Sequence, residues 1–176
     1  AGNPEHPAIR AFADARALVP IRDLLVMERS LAEELPPAEL PEGLRVRPFE
    51  PARDAEDWVT TNAAAFVDHP EQGRMTLADL QARMELPWFD AAGLLLVVPE
   101  GYDLPEDTPP IAAFHWTKVH EDGRGEVYVV GVHPAYRGRG LGRTVTLLGL
   151  HHLRERGIEQ ALLYVDDENT AARHVY

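Results

Sequence analysis

The chain has 176 residues, of which 45% are apolar and 26% charged, and it contains no cysteine. This length suffices for one ordinary domain with a hydrophobic core, but not for two full ones. The lack of cysteine excludes a disulfide scaffold, a cysteine nucleophile and thiolate metal ligands. No segment reaches the roughly 18 to 20 apolar residues of a membrane span, and the N-terminus lacks a signal pattern, so we predict a cytoplasmic protein.

Charge is distributed unevenly along the chain. Seventeen Lys and Arg oppose 29 Asp and Glu, which gives a formal net charge of −12. A protein this acidic is not expected to bind nucleic acid or anionic membranes. Five arginines nevertheless lie between Arg137 and Arg156, against one acidic residue, Glu155. This basic segment predicts one local anionic ligand, although Arg154 and Arg156 also fit a solvated helix end.

The N-terminal quarter of the chain predicts two elements and a linker. Residues 5–17 are predicted to form a helix with Pro7 near its start, where a missing N–H costs nothing. Residues 19–27 are predicted to form a strand. Residues 33–43 are rich in Pro and Glu without periodicity, which is typical of a linker.

The rest of the chain predicts a mixed α/β domain. Thr76 and Asp79 form a capping-box pattern before a helix, and EDGRG at 121–125 is a hairpin signal between two clear strands. We predict strands at 44–48, 94–98, 111–119, 126–132 and 160–165, and helices at 54–66, 77–86, 141–155 and 169–176. This order favours a central mixed sheet flanked by helices.

The most informative segment is VYVVGVHPAYRGRGLGR at 127–143. A buried strand leads into a loop of Gly and Arg and then directly into a helix, which brings backbone N–H groups and the positive helix end to one point. Glycines lack Cβ, so a diphosphate can approach the backbone closely. The residues predicted to bind the phosphates are Arg137, Gly138, Arg139, Gly140, Leu141, Gly142 and Arg143.

Three kinds of phosphate loop were compared with this segment. A Walker loop requires Gly-Lys-Ser/Thr, which is absent, and the spacing of the glycines does not match the dinucleotide fingerprint G-x-G-x-x-G. The pattern Arg-x-x-Gly-x-Gly at 137–142 resembles the pyrophosphate loop of GNAT-family N-acetyltransferases. The alternative is a Gly-rich turn that binds no ligand.

Four further strings resemble the C-terminal repeat of the mycothiol synthase family: HPEQG at 69–73, FHWTKVH at 114–120, GEVYV at 125–129 and LYV…NTAA at 163–172. The resemblance implies a GNAT-type α/β (mixed α+β) fold and acetyl transfer from acetyl-CoA to the cysteinyl amine of cysteinyl-glucosaminyl-inositol. It implies that residues 44–176 are the catalytic repeat, that 1–30 are a remnant of an N-terminal repeat and that 31–43 are a linker. A final strand is expected beyond Tyr176, so we predict a fragment of a two-repeat protein.

Glu126 is the predicted base. Direct acetyl transfer requires a deprotonated amine, a held thioester, a stabilised oxyanion and a proton for the departing thiolate. Glu126 opens the strand that leads to the phosphate loop, and the resemblance implies contact with the substrate amine there. The alternative is a cross-strand ion pair with Lys118, and both roles are compatible. The resemblance also places Lys118 and Glu71 on the sugar substrate.

The acetyl and pantetheine end of the donor is predicted at Val130, Gly131 and Val132. The resemblance implies that the sheet splays here, so that a free backbone N–H can hold the thioester oxygen. The alternative is that these are ordinary core residues, which their side chains are expected to be.

The predicted acid is Tyr176, which shares a helix face with Asn169. The resemblance implies that Asn169 bonds the pantetheine arm and that Tyr176 protonates the CoA thiolate, which a phenol with a pKa of about 10 can do at neutral pH. A packing aromatic is the alternative for Tyr176. Core packing is the role expected for Tyr164, and a place lining the substrate site is its second predicted role. The other predicted donor contacts in this helix are Thr170, Ala171, Ala172, Arg173 and His174.

No metal is expected, because the histidines lack the His-Glu-x-x-His spacing and are predicted to lie on the surface; they are His133, His151, His152 and His174. The expected partners are acetyl-CoA as co-substrate and a small thiol-sugar amine, and a monomer is compatible with the sequence. Two alternative functions remain. They are a GNAT enzyme for another small amine or a protein N-terminus, and a non-catalytic acyl-CoA-binding module.

Overall fold

The structure is a computed structural model that describes residues 7–19, 24–69, 72–101 and 105–166. These residues contain four helices, namely α1 (Pro7–Asp14), α2 (Pro51–Ala65), α3 (Leu77–Met84) and α4 (Leu141–Glu155). They also contain six strands, namely β1 (Leu24–Ser30), β2 (Leu44–Pro48), β3 (Leu94–Pro99), β4 (Ala113–Val119), β5 (Gly125–Val132) and β6 (Gln160–Asp166). Within these ranges no helix combines the length and apolarity needed to cross a membrane.

The described strands form one mixed sheet in the order β1-β6-β5-β4-β3-β2. Only the pairing of β5 with β6 is parallel, and α4 provides the crossover that a parallel pair requires. Helices α2 and α3 bury Trp58 and Leu80 on one face, where Trp58 packs edge-on against Phe114 and Trp116. Helix α4 covers the other face. The predicted mixed sheet with flanking helices is therefore confirmed.

Most predicted elements agree with the structure to within a few residues. The strand at 44–48 and the helix at 141–155 are confirmed at both ends. The capping box is confirmed, because Thr76 Oγ1 accepts from the Asp79 N–H at 3.2 Å and the Asp79 carboxylate accepts from the Thr76 N–H at 2.9 Å. The end predicted for the strand at 19–27 is wrong, since β1 runs from Leu24 to Ser30, and residues 20–23 lie outside the described part of the chain. The helix predicted at 169–176 lies outside the described residues.

Residues 31–43 have no regular secondary structure but pack firmly against α4. Leu35 is buried beside Leu150 and Leu153 of α4. The carbonyl of Pro36 accepts a hydrogen bond from His151 Nε2 at 2.8 Å, and that of Glu39 accepts one from the Thr144 hydroxyl at 3.0 Å. This segment therefore forms part of the surface that holds α4 in place.

A bulge in β5 shapes the centre of the sheet. Trp116 pairs with Val129 while Thr117 pairs with Val127, which leaves Tyr128 as the extra residue. Bulges increase strand twist and often lie next to active sites. On its other side, β5 is paired with β6 only at Gly125 and Glu126 within the described residues. The sheet therefore opens between the C-terminal halves of β5 and β6.

Candidate active site

The C-terminal half of β5 presents unpaired backbone to this opening. The His133 N–H donates to the Ala112 carbonyl of the neighbouring chain segment at 2.9 Å. Because hydrogen-bonding direction alternates along an antiparallel strand, the N–H groups of Val132 and Val130 point away from β4 and towards β6. Their side chains pack against the α4 core, as expected. The register thus matches the splayed sheet that the resemblance implied.

Gly131 is required by packing rather than by a turn. A Cβ added at Gly131 would lie 2.6 Å from the Phe114 ring and 3.2 Å from the Ala65 Cβ. This close approach brings the C-terminal end of α2 against β5. The segment that follows α2 is held there too, since Asn62 Nδ2 donates to the Gln72 carbonyl at 2.7 Å.

The loop between β5 and α4 is open. A short 3₁₀ turn (Pro134–Tyr136) is followed by Gly138 and Gly140, whose φ angles are +79° and +76°. Gly140 precedes the first turn of α4, and no side chain caps the amides there. A Cβ added at Gly138, Gly140 or Gly142 would meet no atom within 4 Å. Free amides, a helix N-terminus and open space together fit a diphosphate.

The three arginines of this loop are exposed but differ in their contacts. Arg137 Nη2 donates to the Ala65 carbonyl at 3.0 Å, and Arg139 lies 5.4 Å from the centre of the Tyr136 ring. Burial and the charge of Arg137 lower the pKa of His133. Arg143 also lines a cleft of about 400 Å³ between α4, β6 and β1, whose walls include Leu147 and Leu163. Arg143 therefore lies at the boundary between the loop and a largely apolar cleft.

Glu126 is at the other end of β5 and is only 7% exposed. It pairs with Lys118 in the hairpin as predicted, and Lys118 Nζ lies 3.9 Å from Glu126 Oε2. The shorter contact is with His120, whose Nε2 is 2.7 Å from the same oxygen. Sequence reasoning did not single out His120. The available signal was its position two residues after Lys118, on the same side of the hairpin.

Aromatic side chains surround Lys118. Its Nζ lies 5.0 Å from the centre of the Trp88 ring and 5.6 Å from that of Tyr128, and these two rings are 5.0 Å apart. The Tyr128 hydroxyl accepts from Arg83 Nε at 3.3 Å. An open cavity of about 660 Å³ is lined by Trp88, Lys118 and His120, among others. We call Trp88, Lys118, His120, Glu126 and Tyr128 the hairpin cluster.

Several predicted site residues lie outside the described part of the chain, namely Glu71, Asn169, Thr170, Ala171, Ala172, Arg173, His174 and Tyr176. Tyr164 is described and is 50% exposed, so the core packing expected for it is wrong. It lies two residues beyond Leu162, the partner of Glu126 in β6. Its predicted contact with substrate stays a prediction.

The histidines predicted to lie on the surface are partly buried where the structure describes them; they are His133, His151 and His152. His133 Nδ1 accepts from the Ala135 N–H, which fixes the start of the 3₁₀ turn. Within the described ranges, no three carboxylate or imidazole side chains converge on a position that could hold a metal ion.

The model of the Acetyltransferase (GNAT) family matches residues 55–176, which is more than half of the chain. The protein therefore belongs to the GNAT acetyltransferase family, whose members use acetyl-CoA as the acyl donor. The family resemblance and the GNAT fold predicted from the sequence are both confirmed.

Curated relatives named mycothiol acetyltransferase are similar to this chain. The one from Kytococcus sedentarius is 52% identical over 170 residues, covering 95% of this chain and 56% of the relative, and the one from Thermobispora bispora is 50% identical over 176 residues, covering 97% and 57%. The chain thus spans little more than half the length of these relatives. A solved GCN5-related N-acetyltransferase from Sphaerobacter thermophilus is 27% identical, with a TM-score of 0.71 over 96% of this chain and 50% of that one.

Proposed function

We propose that the protein transfers the acetyl group of acetyl-CoA to the cysteinyl amine of cysteinyl-glucosaminyl-inositol, which gives mycothiol. The observation that carries the proposal is the geometry of β5, which leads from a buried carboxylate to an open anion loop. The choice of acceptor follows the relatives named mycothiol acetyltransferase, whose sequences are about 50% identical to this chain. We assign the catalytic unit to residues 44–176.

The donor end is the C-terminal half of β5 with the loop that follows. The amides between Gly138 and Gly142, together with Arg139 and Arg143, bind the diphosphate. The pantetheine arm enters the opening between β5 and β6, and Asn169 hydrogen-bonds to it. The N–H of Val130 holds the thioester oxygen, and its dipole favours the negative charge that develops there during transfer.

The hairpin cluster is the proposed acceptor end. The faces of Trp88 and Tyr128 offer an apolar wall to a sugar ring. Lys118 donates a hydrogen bond to a sugar hydroxyl, and the Glu71 carboxylate accepts one. Glu126 accepts the proton of the substrate ammonium, directly or through a water molecule. Tyr176 then donates a proton to the departing thiolate. With no cysteine in the chain, we propose direct transfer within one ternary complex.

The test is an acetylation assay with a panel of amines. We expect acetyl-CoA to be consumed with cysteinyl-glucosaminyl-inositol, with the acetylated product identified by mass spectrometry, and little turnover with glucosaminyl-inositol or peptides with a free N-terminus. Preference for another amine would replace the proposed acceptor. Calorimetric binding of CoA without transfer to any amine would instead identify a binding module.

A further inference from the structure

His120 is the nearest described neighbour of the Glu126 carboxylate. His120 Nε2 and Glu126 Oε2 are 2.7 Å apart, and both side chains are largely shielded from solvent, at 26% and 9% exposed. A carboxylate oxygen can only accept, so Nε2 carries the hydrogen and donates it. Hydrogen bonds to a charged group at this length are among the strong ones in proteins.

The backbone of His120 is fixed by the hairpin turn. Its N–H donates to the Arg124 carbonyl at 2.8 Å, and its carbonyl accepts from the Gly123 N–H at 3.0 Å. Gly123 supports the turn with a φ of +84°. The imidazole is thereby presented to Glu126 by a closed, hydrogen-bonded loop.

Lys118 does not take over this role. Its ammonium is 3.9 Å from Glu126 Oε2, beyond hydrogen-bond length, and lies 5.0 and 5.6 Å from the centres of the Trp88 and Tyr128 rings. Both described contacts of Glu126 are made to Oε2. The other oxygen, Oε1, is the one left for the acceptor amine.

We propose that His120 is a positioning residue whose Nε2–H holds the Glu126 carboxylate in the orientation that presents Oε1 to the acceptor. This rests on the proposed function. The ammonium proton passes to Oε1, the freed nitrogen lone pair forms the C–N bond to the acetyl carbon, and the C–S bond breaks as the thiolate leaves. The nitrogen then loses its second proton to become the amide, which balances the proton that the thiolate takes from Tyr176. His120 remains bonded to Oε2 throughout and exchanges no proton.

The first test compares His120→Gln with His120→Phe. Gln retains an N–H donor, so its kcat should stay within about threefold of the original, whereas Phe has similar size and no donor and should lower kcat by about 10- to 100-fold. The KM for acetyl-CoA should not change, because the phosphate loop lies at the other end of β5. Equal losses in both variants, or none in His120→Phe, would overturn the proposal.

A double variant separates positioning from an independent contribution. In a Glu126→Gln background, His120→Phe should lower kcat by no more than about twofold, because the carboxylate through which His120 acts is gone. If the loss of kcat in the double variant equals the product of the losses in the two single variants, the proposal is contradicted. The matched control is His151→Phe, which removes a comparable imidazole hydrogen bond, from α4 to the Pro36 carbonyl, and should leave kcat unchanged.

A measurement without substrate distinguishes this inference from the proposed function. Proton NMR of the histidine-labelled protein should show a strongly downfield Nε2–H resonance for His120 that moves upfield in Glu126→Gln. Absence of that resonance would refute the positioning role even if acetyl transfer is observed. Its presence in a protein that acetylates no amine would refute the proposed function alone.

Discussion

The two ends of β5 are built for binding in different ways. At the C-terminal end the groups available are backbone amides, three glycines at which an added Cβ would meet no atom within 4 Å, and exposed arginines. At the N-terminal end they are side chains, and both Lys118 and His120 lie within 4 Å of the Glu126 carboxylate. The first end should therefore be sensitive to backbone geometry and to salt, and the second to the loss of single functional groups.

The largest effect is expected at the acceptor end. Glu126→Gln should lower kcat by about 10² to 10⁴ at neutral pH, since a positioned base contributes that range. Part of the loss should be recovered at higher pH, where more of the acceptor amine is already neutral. Binding of acetyl-CoA, measured by calorimetry, should not change. Glu159→Gln removes an exposed charge elsewhere and is the control; equal kinetics for the two variants across pH would exclude Glu126 as the base.

Removing the proposed acid should lower kcat by a similar factor. Tyr176→Phe should lower kcat by about 10²-fold or more while acetyl-CoA still binds, because only the proton donor is removed. Steady-state kinetics and calorimetry on the same preparation check this. Undiminished kcat would leave Tyr176 with a packing role only.

A buried histidine beneath the donor end predicts an effect on stability. Burial lowers the pKa of His115 to about 4 from 6.5. The folded state therefore favours the neutral ring, so stability is retained above pH 6.5 and is lost as the pH falls towards 4. The loss from this group between pH 7 and pH 5 should be about 2 kcal/mol. Urea unfolding should show it, and a His115→Gln variant with an unaltered pH dependence would contradict it.

Two glycines at opposite ends of α4 allow a matched test of the donor end, because only one of them lies in the predicted phosphate loop. Gly140 and Gly157 have φ angles of +76° and +79°, and a Cβ at either would meet no atom within 4 Å. Alanine at each position should cost about 1 kcal/mol of stability. Only Gly140→Ala should raise the Kd for acetyl-CoA, by about tenfold, because the added methyl displaces the phosphate from its amides. Equal affinity in both variants would mean that the diphosphate binds elsewhere.

The smallest effect is expected from a single exposed charge. Arg143→Gln should raise the Kd for acetyl-CoA about fivefold at low salt, and the difference should shrink as salt is added. Arg154→Gln, near the other end of the same helix, should change neither. Indistinguishable titrations of the two variants would remove Arg143 from the donor site.

The same comparison explains what could be predicted from the sequence. The donor end was found because its strand, loop and helix are contiguous, so glycine and arginine spacing carries the signal. The acceptor end is assembled from distant segments. Trp88 comes from the chain after α3 and contacts Tyr128. This contact depends on the bulge at Tyr128, which no local sequence pattern predicts.

The bounds of the strands were also only partly predictable from local sequence. The strand predicted at 19–27 followed apolar residues, whereas β1 continues through Glu28 and Arg29 because backbone pairing with β6 places Ser30 opposite Gln160. An edge strand can carry polar side chains, so hydrophobicity alone misplaces its ends. The role of His120 was missed for a related reason, because only the hairpin register and turn bring its ring to Glu126.

The most direct test of the account is a crystal structure of the protein with CoA and cysteinyl-glucosaminyl-inositol. We predict the diphosphate on the amides between Gly138 and Gly142, and the cysteinyl amine within hydrogen-bond distance of Glu126. A diphosphate bound away from that loop, or an amine remote from Glu126, would contradict the division of β5 into donor and acceptor ends.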